Sequence, residues 1–244
     1  MKSICFFISY TESDHRQDMP MIGDLHGLFT RLVVVSNKKV KEPGVETLVM
    51  PNLGYDFGFL YRALQAIDIS GYEELAFINN SNVLVKSKSL HEFMTWGRSS
   101  RSNFFGITDS HEAPAGVDRT KSYHVQSHLL VFRGSAIKWL SQFWAEVRFD
   151  RFFSIGDQAR LRQTIINECE VGLTQFMLKR GEKPIARFNA NVISVKYGKP
   201  RNINMHVHLW EELIGEGYPL IKKKIVSGEW RPLLKNIENR HKYL

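Results

Sequence analysis

The chain has 244 residues, 43% hydrophobic, 12% aromatic and 24% charged, with 33 Lys plus Arg against 25 Asp plus Glu for a net charge of +8. That balance excludes a disordered tail, a collagen-like repeat and a disulfide-stapled miniprotein, and the two cysteines, Cys5 and Cys169, build neither a zinc site nor a disulfide framework. The basic excess favours polyanionic partners, and no apolar run reaches the ~18 residues of a membrane-spanning helix.

The opening MKSICFFISY lacks a small-residue cleavage site and reads as a first buried strand, Ile4 to Ser9. A polar connection and a helix follow, then strands at Leu32–Ser36 and Thr47–Met50, the latter stopped by Pro51. Phe57, Leu60, Leu64 and Ile67 recur at helical spacing and predict a helix over Phe57–Ile67, ended near Gly71, before a strand at Leu75–Ile78. Leu90–Trp96 reads as a short helix, Phe104–Ile107 as a strand and His111–Arg119 as a loop. His124–Phe132 alternates, placing His124, Gln126, His128, Leu130 and Phe132 on one face and Val125, Ser127, Leu129 and Val131 on the other. Helices are expected over Ala136–Val147 and Gln158–Lys179, a short strand at Asn191–Val195 and a helix at Trp210–Ile214. Strands alternating with helices predict an α/β domain, with a mixed sheet flanked by helices.

Ligands of open α/β sheets bind beyond the carboxyl ends of the strands, so polar clusters there carry functional weight. One is Asn52-Leu53-Gly54-Tyr55-Asp56, in which Gly54 can take a positive φ and Asp56 is placed to cap the next helix. The other is Asn79-Asn80-Ser81-Asn82, which exceeds what a single Asx turn needs. Ser9, Tyr10 and Asn37 close the first two strands, where related folds seat a base and ribose.

In this order NLGYDFGFLYRAL and ELAFINNSNVLV resemble the rhamnan synthesis F family of bacterial polysaccharide glycosyltransferases. NFFGITDS, HVQSHLLVF, NECEVGLTQFMLKRG and GYPLIKKKIV extend the resemblance from about residue 45 to residue 226. It implies a GT-A-like fold in one domain over 1–244, with a nucleotide-sugar-binding half at 1–110 and an acceptor-binding half with C-terminal helices at 111–244. It assigns donor binding to Asn52, Gly54, Asp56, Asn79, Asn80 and Ser81, and acceptor binding to His124, Gln126 and Lys222, while Ser9, Tyr10 and Asn37 join the donor set by their position at strand ends alone. His128 stands where relatives tend to carry an aromatic residue and receives no role.

The resemblance places the general base of an inverting transfer at Glu170, with Glu168 as its neighbour; two residues apart on a helix, they cannot face one site equally. Asn80 replaces the family's aspartate, and a neutral amide oxygen is a weak ligand for Mg or Mn. Two alternatives stay open: Asp109 supplies a carboxylate to a divalent cation, or Arg98, Arg101 or Lys121 neutralises the leaving diphosphate without one.

The expected partners are a nucleoside diphosphate sugar and a lipid-linked or polysaccharide acceptor, with no organic cofactor. The expected location is the cytoplasm, with peripheral contact at the inner face of the membrane. Lys222-Lys223-Lys224, and the basic residues Arg231, Lys235, Arg240, His241 and Lys242, would serve that contact. The transferred sugar is expected to be rhamnose or another deoxysugar, destined for a surface polysaccharide. The competing expectation is a non-catalytic sugar-nucleotide or glycan binder of the same fold. A nucleic-acid binder rests on net charge alone and has no motif behind it.

Overall fold

The computed structural model describes residues 1–11 and 15–227. The C-terminal basic residues from Arg231 to Lys242 lie outside the described residues.

Ten strands form among the described residues: β1 (Ser3–Ser9), β2 (Arg31–Ser36), β3 (Glu46–Val49), β4 (Glu74–Asn79), β5 (Asn82–Leu84), β6 (Phe104–Ser110), β7 (His124–Val125), β8 (Leu129–Arg133), β9 (Ile185–Phe188) and β10 (Leu220–Lys222). The main sheet runs β3-β2-β1-β4-β8-β6, with β9 on the far side of β6 and β7 paired to the end of β6. Neighbours from β3 through β4 are parallel, β8 is antiparallel to both β4 and β6, and β9 is parallel to β6. The mixed α/β sheet flanked by helices expected from the sequence is the observed fold.

Both faces of this sheet are covered, so its central strands are apolar throughout. Ile4, Phe6 and Ile8 of β1, Val33 and Val35 of β2, and Leu75 and Phe77 of β4 enter one core layer. Cys5 and Phe7, Leu32 and Val34, and Ala76 and Ile78 enter the other. The first layer is closed by α2 (Tyr55–Ala66), α4 (Ser135–Val147) and the long helix over 158–179, whose ends are α5 (Gln158–Ile165) and α6 (Gly172–Lys179); the second by α1 (Met19–Leu28), α3 (Ser87–Ser99) and α7 (Ala190–Tyr197). No helix among the described residues is long and apolar enough to cross a membrane.

Three departures from the sequence reading matter for the site. His124–Phe132 is not one strand: β7 ends at Val125, β8 begins at Leu129, and 126–128 turns between them. Val125 therefore shares a core layer with Leu130 and Phe132, reversing the phase that strict alternation predicts. Asn191–Val195 is helical, not extended; Asn189 caps the helix by accepting from the Asn191 and Val192 amides, and its β-branched Val192 and Val195 point to solvent. The strand expected there lies earlier, at Ile185–Phe188.

The third departure lies within the expected Gln158–Lys179 helix, which is continuous but π-helical over Ile166–Val171. Leu161, Ile165, Cys169, Leu173 and Met177, spaced every four residues, all enter one core layer. At ~3.6 residues per turn such a stripe drifts by about 40° per step. The wider π turn absorbs that drift and keeps the stripe on the core.

Two packing constraints hold the loops in place. The carbonyl oxygen of Leu53 lies 1.8 Å from where a Cβ on Gly58 would stand, so the loop after β3 rides directly on α2. At the opposite end of the sheet, Arg98 grips the fully buried Glu74 at 2.7 Å and also donates to the Leu28 carbonyl. Glu74 begins β4 and Asn79 ends it, about 17 Å away at ~3.3 Å per residue. Arg98 is therefore a structural cation, and its expected role at the diphosphate is overturned.

Two stability measurements follow. Gly58→Ala, which must displace backbone, lowers the stability read by chemical denaturation by about 1–3 kcal/mol, whereas Gly23→Ala, with open space at its Cβ, does not. Arg98→Met leaves Glu74 an uncompensated buried charge and costs about 3–5 kcal/mol in the same assay.

Candidate active site

The carboxyl ends of β1, β2, β4 and β6 share one edge of the sheet, and a cleft of about 650 Å³ opens there. Its walls come from the start of α2, the exit of β4, the loop after β6, the turn at 126–128, the π-helical segment and Lys222 of β10.

The sequence NLGYD builds its side through backbone conformation. Gly54 has φ +81° and Tyr55 φ +55°, two consecutive left-handed residues, the second unusual for a side chain of its size. They swing the chain so that Asp56 enters the first turn of α2 facing the cleft, and Gly54, not Asp56, occupies the N-cap. A Cβ on Gly54 would stand 2.8 Å from the Phe149 ring, so this glycine packs against the core and is not among the lining residues. Asn52 is exposed and also outside the lining. The expected capping role of Asp56 is thus replaced by a position in the cleft.

After β4, Asn79 donates to the Ser127 carbonyl at 3.0 Å and accepts from the Ser81 amide at 3.2 Å and its hydroxyl at 2.5 Å. This is an Asx turn, and Asn79 and Ser81 both line the cleft. Asn80 turns the other way. Its amide donates to Ser9 Oγ at 3.2 Å, the Tyr10 carbonyl at 3.0 Å and Asp18 Oδ2 at 3.1 Å. Ser9 also donates to Asp18 Oδ2 at 2.5 Å and meets His15 Nδ1 at 2.9 Å, while Lys223 reaches Asp18 Oδ1 at 2.7 Å. Ser9 and Asn80 therefore belong to a buried polar knot behind the cleft. Asn37 ties down Thr11 through bonds to its amide and carbonyl, and Tyr10 is exposed; neither lines the cleft.

Across the cleft, Glu170 Oε1 accepts from the Ser127 amide at 2.9 Å and hydroxyl at 2.8 Å. Glu168 faces away, paired with Arg151 in a separate, open depression. The divergence expected from their spacing is observed. His124 and Gln126 both line the cleft; His124 Nδ1 meets the Ser122 carbonyl at 2.7 Å, and Gln126 accepts from Thr108 Oγ1 at 3.0 Å.

Lys222 reaches the cleft because β10 pairs antiparallel with β5, directly after the Asn-rich turn. The lysine run is not a solvated face, since Lys222 lines the cleft and Lys223 is spent on Asp18. Arg162, one turn before the π-helical segment, completes the lining charges; nothing in the sequence singled it out, because its helix face otherwise reads as solvated.

These charges are coupled. Burial, first, and the Glu170 carboxylate, second, push the Asp56 pKa up to about 6, while Lys222 and Arg162 pull it down. Burial lowers the Lys222 ammonium from its ordinary value, and Glu170 and Asp56 oppose that shift. The cleft thus holds two carboxyls and two cations that act on one another electrostatically, an arrangement suited to moving a proton and to balancing phosphate charge.

The residues anticipated for a divalent cation do not fit one. Asp109 is buried and accepts from the Ala190 amide at 2.5 Å and from Asn189 Nδ2 at 2.7 Å, anchoring the start of α7, while Asn80 is bonded within the knot. Among the described residues no group of three or more His, Cys, Asp or Glu could hold a metal.

No protein-family model matches the chain, and no curated protein matches it. Solved structures with similar folds include the 2-C-methyl-D-erythritol 4-phosphate cytidylyltransferase of Francisella tularensis, with TM-score 0.48, 13% identity and coverage of 78% of this chain and 90% of that one. The bifunctional IspDF of Campylobacter jejuni gives TM-score 0.46 and 13% identity over 78% of this chain, which spans about half, 51%, of the larger protein. Glucosyl-3-phosphoglycerate synthase of Mycobacterium tuberculosis, solved with Mg2+ and uridine diphosphate, gives TM-score 0.40 and 10% identity over 62% of this chain and 66% of that one. The neighbours thus include nucleotidyltransferases and glycosyltransferases, at a distance that transfers no residue roles.

The coupling has a measurable sign. Because Asp56 titrates near 6 instead of 3.8, the folded protein holds a proton there that the unfolded chain has released. Its contribution to stability is therefore full below about pH 4 and lost as pH rises through 6. Carboxyl 13C NMR finds Asp56 titrating lower in Glu170→Gln, where the like charge is gone, and higher in Lys222→Met, where the opposite charge is gone.

Proposed function

We propose that the protein is a glycosyltransferase that moves a sugar from a nucleoside diphosphate donor to a glycan acceptor with inversion. The observation that carries the reading is the convergence of Asp56, Glu170, Lys222 and Arg162 in one cleft at the carboxyl edge of the sheet. The fold places such a cleft where activated-nucleotide ligands bind in open α/β sheets. On this reading residues 1–110 hold the nucleotide and 111–244 the acceptor, in a single GT-A-like domain whose second half also reaches the donor's diphosphate and sugar across the shared cleft.

In the transfer, Glu170 takes the proton of the acceptor hydroxyl. The acceptor oxygen forms its bond to the anomeric carbon from the face opposite the diphosphate. The bond from that carbon to the diphosphate oxygen breaks, and its electron pair leaves with the diphosphate. Lys222 and Arg162 balance the negative charge that develops there. Ser127 fixes one carboxylate oxygen of Glu170 with two hydrogen bonds, so the base is oriented before the acceptor arrives. Asp56 lies against the donor with Asn79 and Ser81, and His124 and Gln126 contact the acceptor. No step is routed through a divalent cation, because Asn80 and Asp109 are bonded elsewhere.

The resemblance to rhamnan synthesis F proteins supports rhamnose or a related deoxysugar as the transferred group, and a lipid-linked surface polysaccharide at the inner membrane face as the acceptor. A binding protein without catalysis is the competing reading, and one assay separates the two. A panel of nucleoside diphosphate sugars is followed by calorimetry for binding and by nucleotide release for turnover. The wild type binds and turns over a donor, and Glu170→Gln keeps donor affinity within a few-fold while losing about 100-fold or more in kcat. Undiminished turnover in Glu170→Gln overturns the base assignment, and binding without turnover in the wild type establishes the competing reading.

A further inference from the structure

His128 is buried, lines the cleft, and finds no protein hydrogen-bond partner for either ring nitrogen. Its ring meets that of His206 edge-on, with centroids 4.2 Å apart, and His206 is itself fully buried with Nε2 unpartnered. Asn204, two residues before His206, lines the same cleft and leaves its buried Oδ1 without a protein partner. Buried polar atoms are almost always satisfied, so three neighbouring side chains with orphaned atoms beside one cleft demand a common explanation.

The surroundings are built to hold this group still. His206 Nδ1 lies 3.2 Å from the Tyr218 hydroxyl, Tyr218 is hydrogen-bonded to Thr108, and Thr108 donates to Gln126, which also lines the cleft. Tyr218 packs edge-on to Phe188 on its other side. The hydrogen-bonded chain reaches the cleft at Gln126, and His128, in ring contact with His206, lines the same cleft with both ring nitrogens unpartnered.

We propose that His128, backed by His206 and joined by Asn204, forms an uncharged hydrogen-bonding subsite that recognises the hydroxyls of the sugar carried by the donor. The inference rests on the nucleotide-sugar reading of the cleft and adds to it the residues that select the sugar.

The chemistry favours a hydroxyl over a phosphate. A neutral imidazole offers one donor and one acceptor, an amide offers both, and a sugar hydroxyl answers both. A phosphate oxygen only accepts, so it would leave the acceptor nitrogen of the neutral His128 ring and the Asn204 Oδ1 unmet. Burial and the neighbouring positive charges, Lys222 among them, hold both imidazoles well below their ordinary range and so keep them neutral. Phosphate chemistry belongs to Lys222 and Arg162.

The test compares nucleoside diphosphate sugars with the corresponding bare nucleoside diphosphates in a thermal-shift panel on the wild type, His128→Phe and Asn204→Ala, with each variant's own melting curve confirming that it folds. The expected result is a sugar-bearing donor that stabilises the wild type more than its bare diphosphate. That margin shrinks at least several-fold in both variants while the shift from the bare diphosphate is unchanged. A margin retained in both variants overturns the subsite.

If no nucleotide stabilises the wild type, the nucleotide-sugar reading fails, and saturation-transfer NMR with free rhamnose, glucose and galactose then decides the subsite alone. Binding lost in either variant supports it, and absence of binding to the wild type overturns it.

Discussion

The carboxylate of Asp18 is the point on which the arrangement of this molecule turns. Buried near the start of α1, it receives Ser9 from the end of β1, Asn80 from the exit of β4 and Lys223 from the far end of the described chain. A buried carboxylate is tolerable only when donors surround it, so four distant segments must meet or none of them is stable there. Their meeting draws β10 against β5 and carries Lys222 into the cleft. The same knot explains the asparagine at position 80. Its amide nitrogen donates to Asp18 at 3.1 Å, whereas an aspartate would bring a second negative charge to that distance.

The cleft divides its work along chemical lines. On one side stand the charged groups Asp56, Glu170, Lys222 and Arg162, the last three bearing on the titration of Asp56. On the other, His128, His206, Asn204 and Gln126 offer dipoles without charge. Ionic groups set where protons and phosphates can sit, and neutral groups discriminate between polar ligands of similar charge, because an unmatched hydroxyl or amide carries its full desolvation cost.

Much of the fold could be read in the chain because the central strands are covered on both faces and so are written as plain apolar runs, as in ICFFI and LVVV. The divergence of Glu168 from Glu170 followed from helical geometry alone. Other features depend on partners that no local pattern reveals. NVISV reads as a strand, and only Asn189 and Asp109, which satisfy the first amides of α7, make it a helix. The break at 126–128 arises because β6 pairs with β8 at one end and β7 at the other, information that lies twenty residues away. Arg162 and Asp18 were invisible for a related reason. Each sits in a polar stretch, and its significance comes entirely from the elements folded against it.

The π-helical turn at Ile166–Val171 makes the bearing of Glu170 a property of packing phase. The apolar stripe fixes the rotation of the helix before and after the turn, and the surplus residue between them is stored as a local unwinding. Loss of one residue anywhere in that turn would restore an ordinary helix with its two halves still in phase, and would change the bearing of the residues inside the turn, Glu170 among them. The stripe would keep to the core, and the acid would lose its bearing on the cleft. Homologous chains that keep this acid should therefore share the length of the segment more strictly than its composition, and a one-residue gap there would mark a lineage with different chemistry.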